Sequence, residues 1–282
     1  MSDDVVTEDV VTAAASLTIV LPAFNEARRI GPALDELFGY LRRNGPARAG
    51  GASAEELGDA WSVLVVDDGS TDGTADIVRS RSESHGADAR LRLLVVPHGG
   101  KGAAVRAGVL SSDSDLIVFA DADMATPPDQ LPLLTHALAT ADIALGSRIQ
   151  PDGSDRRAGQ PLYRRLLGRL FHALAAAWVT GPVPDTQCGF KGFRREAAHD
   201  LFARQRIGSI VFDAELIHIA RRRGYRMAIV PVEWSDRRGS RMRPSPRLAV
   251  RVAWDLFRIP LLHRAVPRRA AAVAAEPAPP GP

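Results

Sequence analysis

The chain has 282 residues, is 45% hydrophobic and carries a formal net charge of +3. This length and composition allow a large core, in one large α/β domain or two small ones. A single cysteine excludes an intramolecular disulfide, the histidines lack the His-Glu-x-x-His spacing of a metal site, and no apolar run reaches the roughly 18 residues of a membrane span.

No linker interrupts residues 17–235, so we predict one domain there. Residues 1–16 and 265–282 have compositions that do not support packing and are predicted to be flexible tails, whereas 236–264 forms a separate basic amphipathic segment. The N-terminus lacks the basic and apolar stretches of a secretory signal, which predicts a cytoplasmic protein.

The first predicted strand, Leu17–Leu21, ends in Pro22-Ala23-Phe24-Asn25-Glu26 and precedes an amphipathic helix that runs to about Leu41. Pro22 ends the ladder, and Asn25 and Glu26 can cap the helix or contact a ligand. The glycine-rich turn that dinucleotide-binding folds need at this place is absent.

The second predicted strand, Val63–Val66, is an uninterrupted apolar run followed at once by Asp67-Asp68-Gly69-Ser70. Such runs are typical of strands buried on both faces in parallel sheets. Asp68 could start a turn before the next helix, or it could accept the imide N–H of a uracil or guanine base at the carboxyl edge of the sheet.

A third strand, Leu91–Val96, leads through His98-Gly99-Gly100-Lys101-Gly102 into a helix, Ala103–Leu110. The start of this helix could approach a phosphate or ribose, and the glycines could equally serve only a tight turn.

Asp121-Ala122-Asp123 follows the fourth apolar run, Leu116–Ala120. Carboxylates at i and i+2 on a chain that leaves a buried strand point to one side and can present hard oxygens to one cation. Asp113-Ser114-Asp115 has the same spacing, but it precedes the run and is interpreted as a solvated turn. Asp121 and Asp123 could therefore hold Mg²⁺ or Mn²⁺ in a site that suits a metal-bound diphosphate, or they could only cap the end of the strand.

These motifs are followed in the chain by Gly146-Ser147-Arg148. Their order and spacing resemble those of family 2 glycosyltransferases. Three later segments are similar to the dolichyl-phosphate β-glucosyltransferase branch, a relative of dolichyl-phosphate mannose synthase. They are Asp185-Thr186-Gln187-Cys188-Gly189-Phe190-Lys191, Phe212-Asp213-Ala214-Glu215-Leu216 and Gly239-Ser240-Arg241. The resemblance covers residues 17 to about 262 and implies a GT-A fold, with a mostly parallel sheet flanked by helices and a C-terminal amphipathic segment.

The resemblance also implies a metal-dependent, inverting transfer of a hexose, preferably glucose from UDP-glucose, to a polyprenyl phosphate. Asp123 would be the direct metal ligand, with Asp121 nearer the ribose, and Asp121, Asp123, Asp213 and Arg148 would form the catalytic set. The implied nucleotide site contains Pro22, Ala23, Phe24, Asn25, Glu26, Val66, Asp68, Lys101, Asp121 and Ala122. The implied acceptor-phosphate site contains Arg148, Gln187, Lys191, Ser240 and Arg241.

Three positions depart from the family pattern. Phe24 stands where tyrosine is usual, His98 stands near a usual asparagine, and Arg241 replaces a lysine. Phe24 loses a hydroxyl but can still stack on a base, and Arg241 adds a bidentate fork for phosphate. None of these changes removes a predicted metal ligand.

Several alternatives stay open. The donor could be GDP-mannose, the acceptor could be a soluble sugar, or the chain could be a non-catalytic nucleotide-sugar-binding protein. The phosphate group of a lipid monophosphate has a second pKa of about 6, so it is already largely a nucleophilic anion at neutral pH and needs no general base. A sugar hydroxyl would need one, for which Asp213 or Glu215 is the candidate.

Arginines cluster before two apolar stretches, at residues 156–169 and 237–251. Both stretches could be ordinary helices packed on the core, or an interfacial pair that binds the anionic inner face of a membrane peripherally. Aromatic residues are sparse and no nucleic-acid-binding motif occurs, so nucleic acid is not the expected partner.

Overall fold

Seven strands form one sheet in the computed structural model, which describes residues 15–45, 60–84, 90–155, 173–235 and 246–269. The strands are β1 (Leu17–Ala23), β2 (Trp61–Asp67), β3 (Leu91–Val95), β4 (Leu116–Ala120), β5 (Ile143–Ser147), β6 (Phe190–Arg194) and β7 (Met227–Pro231). Their order is β3-β2-β1-β4-β6-β5-β7, and only β6 runs antiparallel to its neighbours. The predicted mostly parallel α/β fold is confirmed.

The described ranges contain seven α-helices, of which the first six flank the sheet. They are α1 (Ile30–Asn44), α2 (Thr74–Ser84), α3 (Lys101–Leu110), α4 (Leu131–Ala137), α5 (Arg195–Arg204), α6 (Phe212–Arg223) and α7 (Pro246–Leu262). Side chains of α1, α2 and α4 pack on one face of the sheet, and those of α3, α5 and α6 pack on the other. This two-sided cover explains why β1, β2 and β4 are continuous apolar runs.

The direction of strand addition reverses between β1 and β4. From β1 the chain adds β2 and then β3 on one side, and it returns to place β4 on the other side of β1. In open α/β sheets, ligands bind at such a switch point, beyond the carboxyl ends of the strands. The loops after β1 and β4 begin with Phe24 and Asp121. The expectation that Pro22 ends the ladder is wrong, because Pro22 and Ala23 still pair with Val66 and Asp67 of β2.

Helix α7 packs its inner face on a third apolar cluster. Leu256 and Ile259 are buried there with Val211 and with Val179 of a short π-helix, Ala176–Thr180. A buried contact of 2.7 Å between His263 Nε2 and Glu215 Oε1 also ties the end of α7 to α6. Among the described residues, no helix is long and apolar enough to cross a membrane.

Candidate functional site

A cleft of about 270 Å³ opens at the switch point between the ends of β1 and β4, and we call it the switch-point cleft. Loops after β1, β2, β3 and β4 contribute its walls. The lining residues are Pro22, Ala23, Phe24, Glu26, Asp68, His98, Gly100, Lys101, Ala104, Asp121, Ala122 and Asp123. The structure thus brings most of the predicted nucleotide site together.

Each predicted metal ligand faces a basic side chain. Lys101 Nζ lies 2.5 Å from Asp121 Oδ1, and Arg29 Nη1 lies 3.4 Å from Asp123 Oδ2. The Asp121 side chain is 40% exposed and that of Asp123 is 24% exposed, so both reach the cleft. Sequence reasoning missed Arg29, because its contact with Asp123 joins residues far apart in the chain.

The surroundings shift the protonation of these groups. Burial, together with the charge of Asp121, raises the pKa of Asp123, although a hydrogen bond from the Ala125 amide and the charge of Arg29 oppose the change. Burial acts to lower the pKa of Lys101, but the charges of Asp121 and Asp213 outweigh it and leave the pKa raised. Lys101 therefore stays cationic beside the carboxylates.

The two carboxylates fit a divalent cation that shares its coordination with a substrate. No group of three or more His, Cys, Asp or Glu side chains suited to a metal occurs in the described ranges. Mg²⁺ commonly uses one or two protein carboxylates and takes further oxygens from phosphates and water. Asp121 and Asp123 could hold such an ion, with the remaining ligands supplied by a diphosphate.

Two aromatic rings lie at another wall of the cleft. The rings of Phe24 and His98 stack with centroids 4.2 Å apart. His98 Nδ1 lies 2.9 Å from Asp68 Oδ2, and the carboxylate of Asp68 accepts hydrogen bonds from the amides of Gly99 and Gly100. Asp68 thus holds the glycine loop in place, so its position combines a structural role with a place in the cleft. The sequence signal for His98 was only its departure from the family pattern.

Two predicted nucleotide-binding side chains lie outside the cleft. Asn25 has a positive φ of 54°, and its Oδ1 accepts the amide of Thr71 at 2.8 Å, which joins the loops after β1 and β2. Val66 is fully buried in the core beneath the cleft. Neither residue is among those that line the cleft, and a contact of Asn25 or Val66 with a nucleotide stays a prediction.

Two of the first three amides of α3 already donate hydrogen bonds. Gly208 O accepts the amides of Gly102 and Ala103 at 2.8 and 3.3 Å. A phosphate at the start of α3 would therefore find the Lys101 side chain rather than these two N–H groups. The preceding Gly100 has a φ of 95°, a conformation that glycine tolerates best.

Arg148 forms a bidentate ion pair with Asp185, with both distances 2.7 Å. Burial acts to lower the pKa of Arg148, but the hydrogen bonds and charge of Asp185 leave it raised. Its charge is compensated before any ligand binds.

Burial raises the pKa of nearby Cys188 to about 11, so this thiol is a poor nucleophile at neutral pH.

Lys191 and Asp213 form a buried pair, with Nζ 2.6 Å from Oδ1. Lys191 Nζ also donates to the carbonyls of Thr186 and Cys188, so all three of its N–H groups have acceptors. Burial raises the pKa of Asp213, against the opposing charges of Lys191 and Lys101. The predicted contact of Lys191 with an acceptor phosphate does not fit this environment. Among the described residues, Gln187 Nε2 is buried without a hydrogen-bond partner.

Ser240, Arg241 and the arginine-rich stretch 156–169 lie outside the described residues. The outer face of α7 is described, and it carries an exposed apolar row at positions i, i+4, i+7 and i+11. We call this row, with its neighbours on the segment 173–180, the aromatic stripe. It consists of Val250, Trp254, Phe257, Leu261, Leu174 and Trp178.

The aromatic stripe is one continuous surface on two chain segments. The rings of Trp178 and Phe257 stack with centroids 6.0 Å apart, and Trp178 Nε1 donates to Phe257 O at 3.2 Å. Trp178 is 55% exposed, Trp254 59% and Phe257 50%. Arg247 and Arg251 are exposed on the same helix.

Comparison with known proteins identifies the family. The model described as "Glycosyl transferase family 2" matches residues 18–202. A dolichyl-phosphate beta-glucosyltransferase of Trichomonas vaginalis is 40% identical over 255 residues, which span 88% of this chain and 72% of the relative. A protein of the same name from Drosophila melanogaster is 34% identical over 81% of this chain and 69% of its own length.

A solved structure supports the fold. Glucosyl-3-phosphoglycerate synthase from Mycobacterium tuberculosis, crystallised with Mn²⁺ and UDP-glucose, superposes with a TM-score of 0.59 at 20% identity. The match covers 93% of this chain and 82% of that one. The resemblance read from the motifs is confirmed: the chain belongs to glycosyl transferase family 2 and is a glycosyltransferase with a GT-A fold.

Proposed function

We propose that this enzyme transfers glucose from UDP-glucose to a polyprenyl phosphate, with Mg²⁺ or Mn²⁺, at a membrane surface. The observation that carries the proposal is the switch-point cleft, where Asp121 and Asp123 face Lys101 and Arg29. Two carboxylates for a cation and two basic groups for phosphates suit a metal-bound nucleoside diphosphate. The names of the relatives support glucose and a dolichyl phosphate as substrates.

In this proposal Asp121 and Asp123 would hold the metal, which would supply charge stabilisation for the departing diphosphate. Lys101 remains cationic and lies close enough to Asp121 to face the same diphosphate. The bond from the anomeric carbon to the diphosphate oxygen breaks, and the acceptor oxygen bonds to that carbon from the opposite face, with inversion. Cys188 is buried and protonated, so it does not form a covalent intermediate.

The buried Asp213–Lys191 pair favours a phosphate acceptor over a sugar hydroxyl. A hydroxyl acceptor needs a general base, and a base must reach the proton that it removes. Asp213 is 2% exposed and its Oδ1 is bonded to Lys191. Glu215, the second candidate, is fully buried and accepts the amides of Arg206 and Ile207. A phosphate that is already anionic requires neither group.

The aromatic stripe supports a lipid-facing site. Tryptophan is enriched at membrane–water interfaces, and a single helix face of apolar residues flanked by arginines is typical of interfacial helices. Arg247 and Arg251 would lie at anionic headgroups, with attraction of roughly 1 kcal/mol each. Exposure of this apolar stripe to water is unfavourable. A bilayer interface would cover it and is therefore the proposed partner.

The test is a donor and acceptor screen with radiolabelled sugars and a short polyprenyl phosphate. Label from UDP-glucose should enter the organic phase, and excess EDTA should stop it. Transfer from GDP-mannose instead would identify the mannosyltransferase alternative. Label that stays in the aqueous phase on an added sugar would identify a soluble acceptor. If the protein neither transfers nor hydrolyses any donor sugar, the remaining alternative is a nucleotide-sugar-binding protein.

The membrane part is tested separately by co-sedimentation with anionic vesicles. Trp254→Ser combined with Phe257→Ser should reduce binding, because it removes apolar area from the aromatic stripe without touching the inner face of α7. Leu133→Ser is a matched control, since Leu133 is exposed on α4 outside the stripe. High salt should weaken binding without abolishing it, because screening affects only the arginines. Unmodified protein that never sediments with vesicles contradicts the membrane proposal.

A further inference from the structure

Arg29 contacts two residues that line the switch-point cleft, Glu26 and Asp123. It precedes α1, and its Nε and Nη2 donate to Glu26 Oε2 and Oε1, both at 2.5 Å. Its Nη1 faces Asp123 Oδ2 at 3.4 Å. The guanidinium therefore links a residue of the loop after β1 to a predicted metal ligand of the loop after β4.

The two contacts differ in strength. The fork to Glu26 fixes the plane of the guanidinium, as bidentate carboxylate pairs do. The Asp123 contact is longer than the roughly 2.7–2.9 Å of a strong charge-assisted bond. Arg29 thus has one edge held firmly and one edge, Nη1, loosely held toward the cleft, and its side chain is still 20% exposed.

The Nη1 group of Arg29 needs a new hydrogen-bond acceptor when a cation binds to Asp123. A divalent cation on Asp123 would compete with Arg29 for the same carboxylate. The Glu26 fork prevents the guanidinium from moving far, so Nη1 would stay beside the metal with a weakened partner. A phosphate oxygen brought in with the cation satisfies that N–H group, and guanidinium geometry suits phosphate.

We infer that Arg29 is a ligand of the donor's diphosphate, and that Asp123 occupies its Nη1 edge until the metal and nucleotide bind. This inference rests on the proposed nucleotide-sugar donor and names the residue that recognises its diphosphate. The exchange needs no large movement, because Glu26 holds the guanidinium throughout.

A series of ligands that differ only in phosphate number tests the inference. Uridine, UMP and UDP would be titrated with Mg²⁺ present, by calorimetry for UDP and by ligand-observed NMR for the weaker ligands. Arg29→Met should weaken UDP at least about tenfold, the usual effect of losing a hydrogen bond to a charged group. Uridine affinity should stay unchanged, because the nucleoside has no phosphate for Arg29 to bind.

Two further variants sharpen the result. Arg29→Lys keeps the charge but loses the fork, so it should weaken UDP by a smaller factor and remain informative if Arg29→Met does not fold. Arg28→Met is the matched control, since the neighbouring Arg28 is exposed and should leave all three affinities unchanged.

Equal losses for uridine and UDP in the Arg29 variants would assign Arg29 a purely structural role and overturn the inference. Unchanged UDP affinity in both variants would overturn it as well. If the unmodified protein binds neither uridine nor UDP, the proposed donor itself fails, which is a different outcome from a phosphate-independent effect of Arg29.

Discussion

Gly189 and Asp121 pack so closely that a Cβ atom at position 189 would overlap the Asp121 carboxylate. The same glycine accepts the Asp121 amide at 3.1 Å. Gly189 belongs to the segment before β6, which is antiparallel and lies next to β4. The antiparallel strand therefore determines where a predicted metal ligand can stand.

Gly189→Ala should lower turnover by about a hundredfold, because even a displacement of about 1 Å in a catalytic group can have that effect. Thermal unfolding should show a folded protein. Gly39→Ala is the control, because Gly39 lies in α1 with room for a methyl group. Normal turnover of Gly189→Ala would show that the position of Asp121 is not critical.

Asp123→Ala should nearly abolish metal-dependent transfer and leave the fold intact, because the side chain is partly exposed at a loop. Asp113→Ala provides a matched control, since Asp113 has the same i, i+2 spacing to another aspartate but is exposed away from the cleft. Transfer assays with and without EDTA would measure the effect. An active Asp123→Ala variant contradicts the metal assignment.

Asp68→Ala should weaken UDP binding more than it slows transfer, and it should also loosen the glycine loop that its carboxylate holds. Asp68→Asn keeps one acceptor oxygen and should have the smaller effect. Calorimetry with UDP and GDP measures the binding. If affinity for both nucleotides is unchanged, Asp68 has only a structural role.

Asp213→Asn should destabilise the protein by about 3–5 kcal/mol, because it leaves Lys191 charged and buried without its carboxylate. Lys191→Met should have a similar effect. The double variant should recover part of the loss, since neither charge then remains. Urea unfolding measures all three, and additive losses in the double variant would argue against coupling.

The free energy of unfolding should fall in mild acid because of His218. Its Nδ1 donates to Val179 O at 3.0 Å, and burial and the nearby His263, Arg222 and Arg221 lower its pKa below the usual 6.5. The unfolded chain therefore takes up a proton first as the pH falls. The stabilisation is complete above about pH 6.5 and declines below it.

His218→Asn keeps a donor near Nδ1 and cannot be protonated. Its unfolding free energy should fall less between about pH 7.5 and about pH 5.5 than that of the unmodified protein. Urea unfolding at the two pH values provides the measurement. Identical pH dependence in the two proteins would assign the acid sensitivity to other groups.

The sequence predicted the first four strands to within two residues at each end. Each predicted strand is followed directly by aspartate or proline, which makes its carboxyl end readable. The same logic placed Asp121 and Asp123 at one sheet edge. It could not reveal the partners of those groups, because Arg29 and Gly189 contact them across large sequence separations.

The roles of basic residues were the least predictable. Lys191 and Arg148 look like phosphate ligands in a motif, yet Lys191 is 1% exposed in a buried pair and Arg148 is held by Asp185. Whether a cation is free for a ligand depends on which carboxylates the fold brings to it. Spacing in the sequence carries little information about that.

Helix α7 has apolar residues on both its sides, and this has a practical consequence for protein engineering. Ending the chain before the helix would uncover Val211 and Val179, remove the Asp255 partner of Ser209 and leave Glu215 without His263. A truncated chain would therefore report on folding as much as on attachment to lipid. Polar substitutions confined to Val250, Trp254 and Leu261 offer a better route to a well-behaved protein for crystallography, because surface properties and core stability reside on opposite sides of one helix.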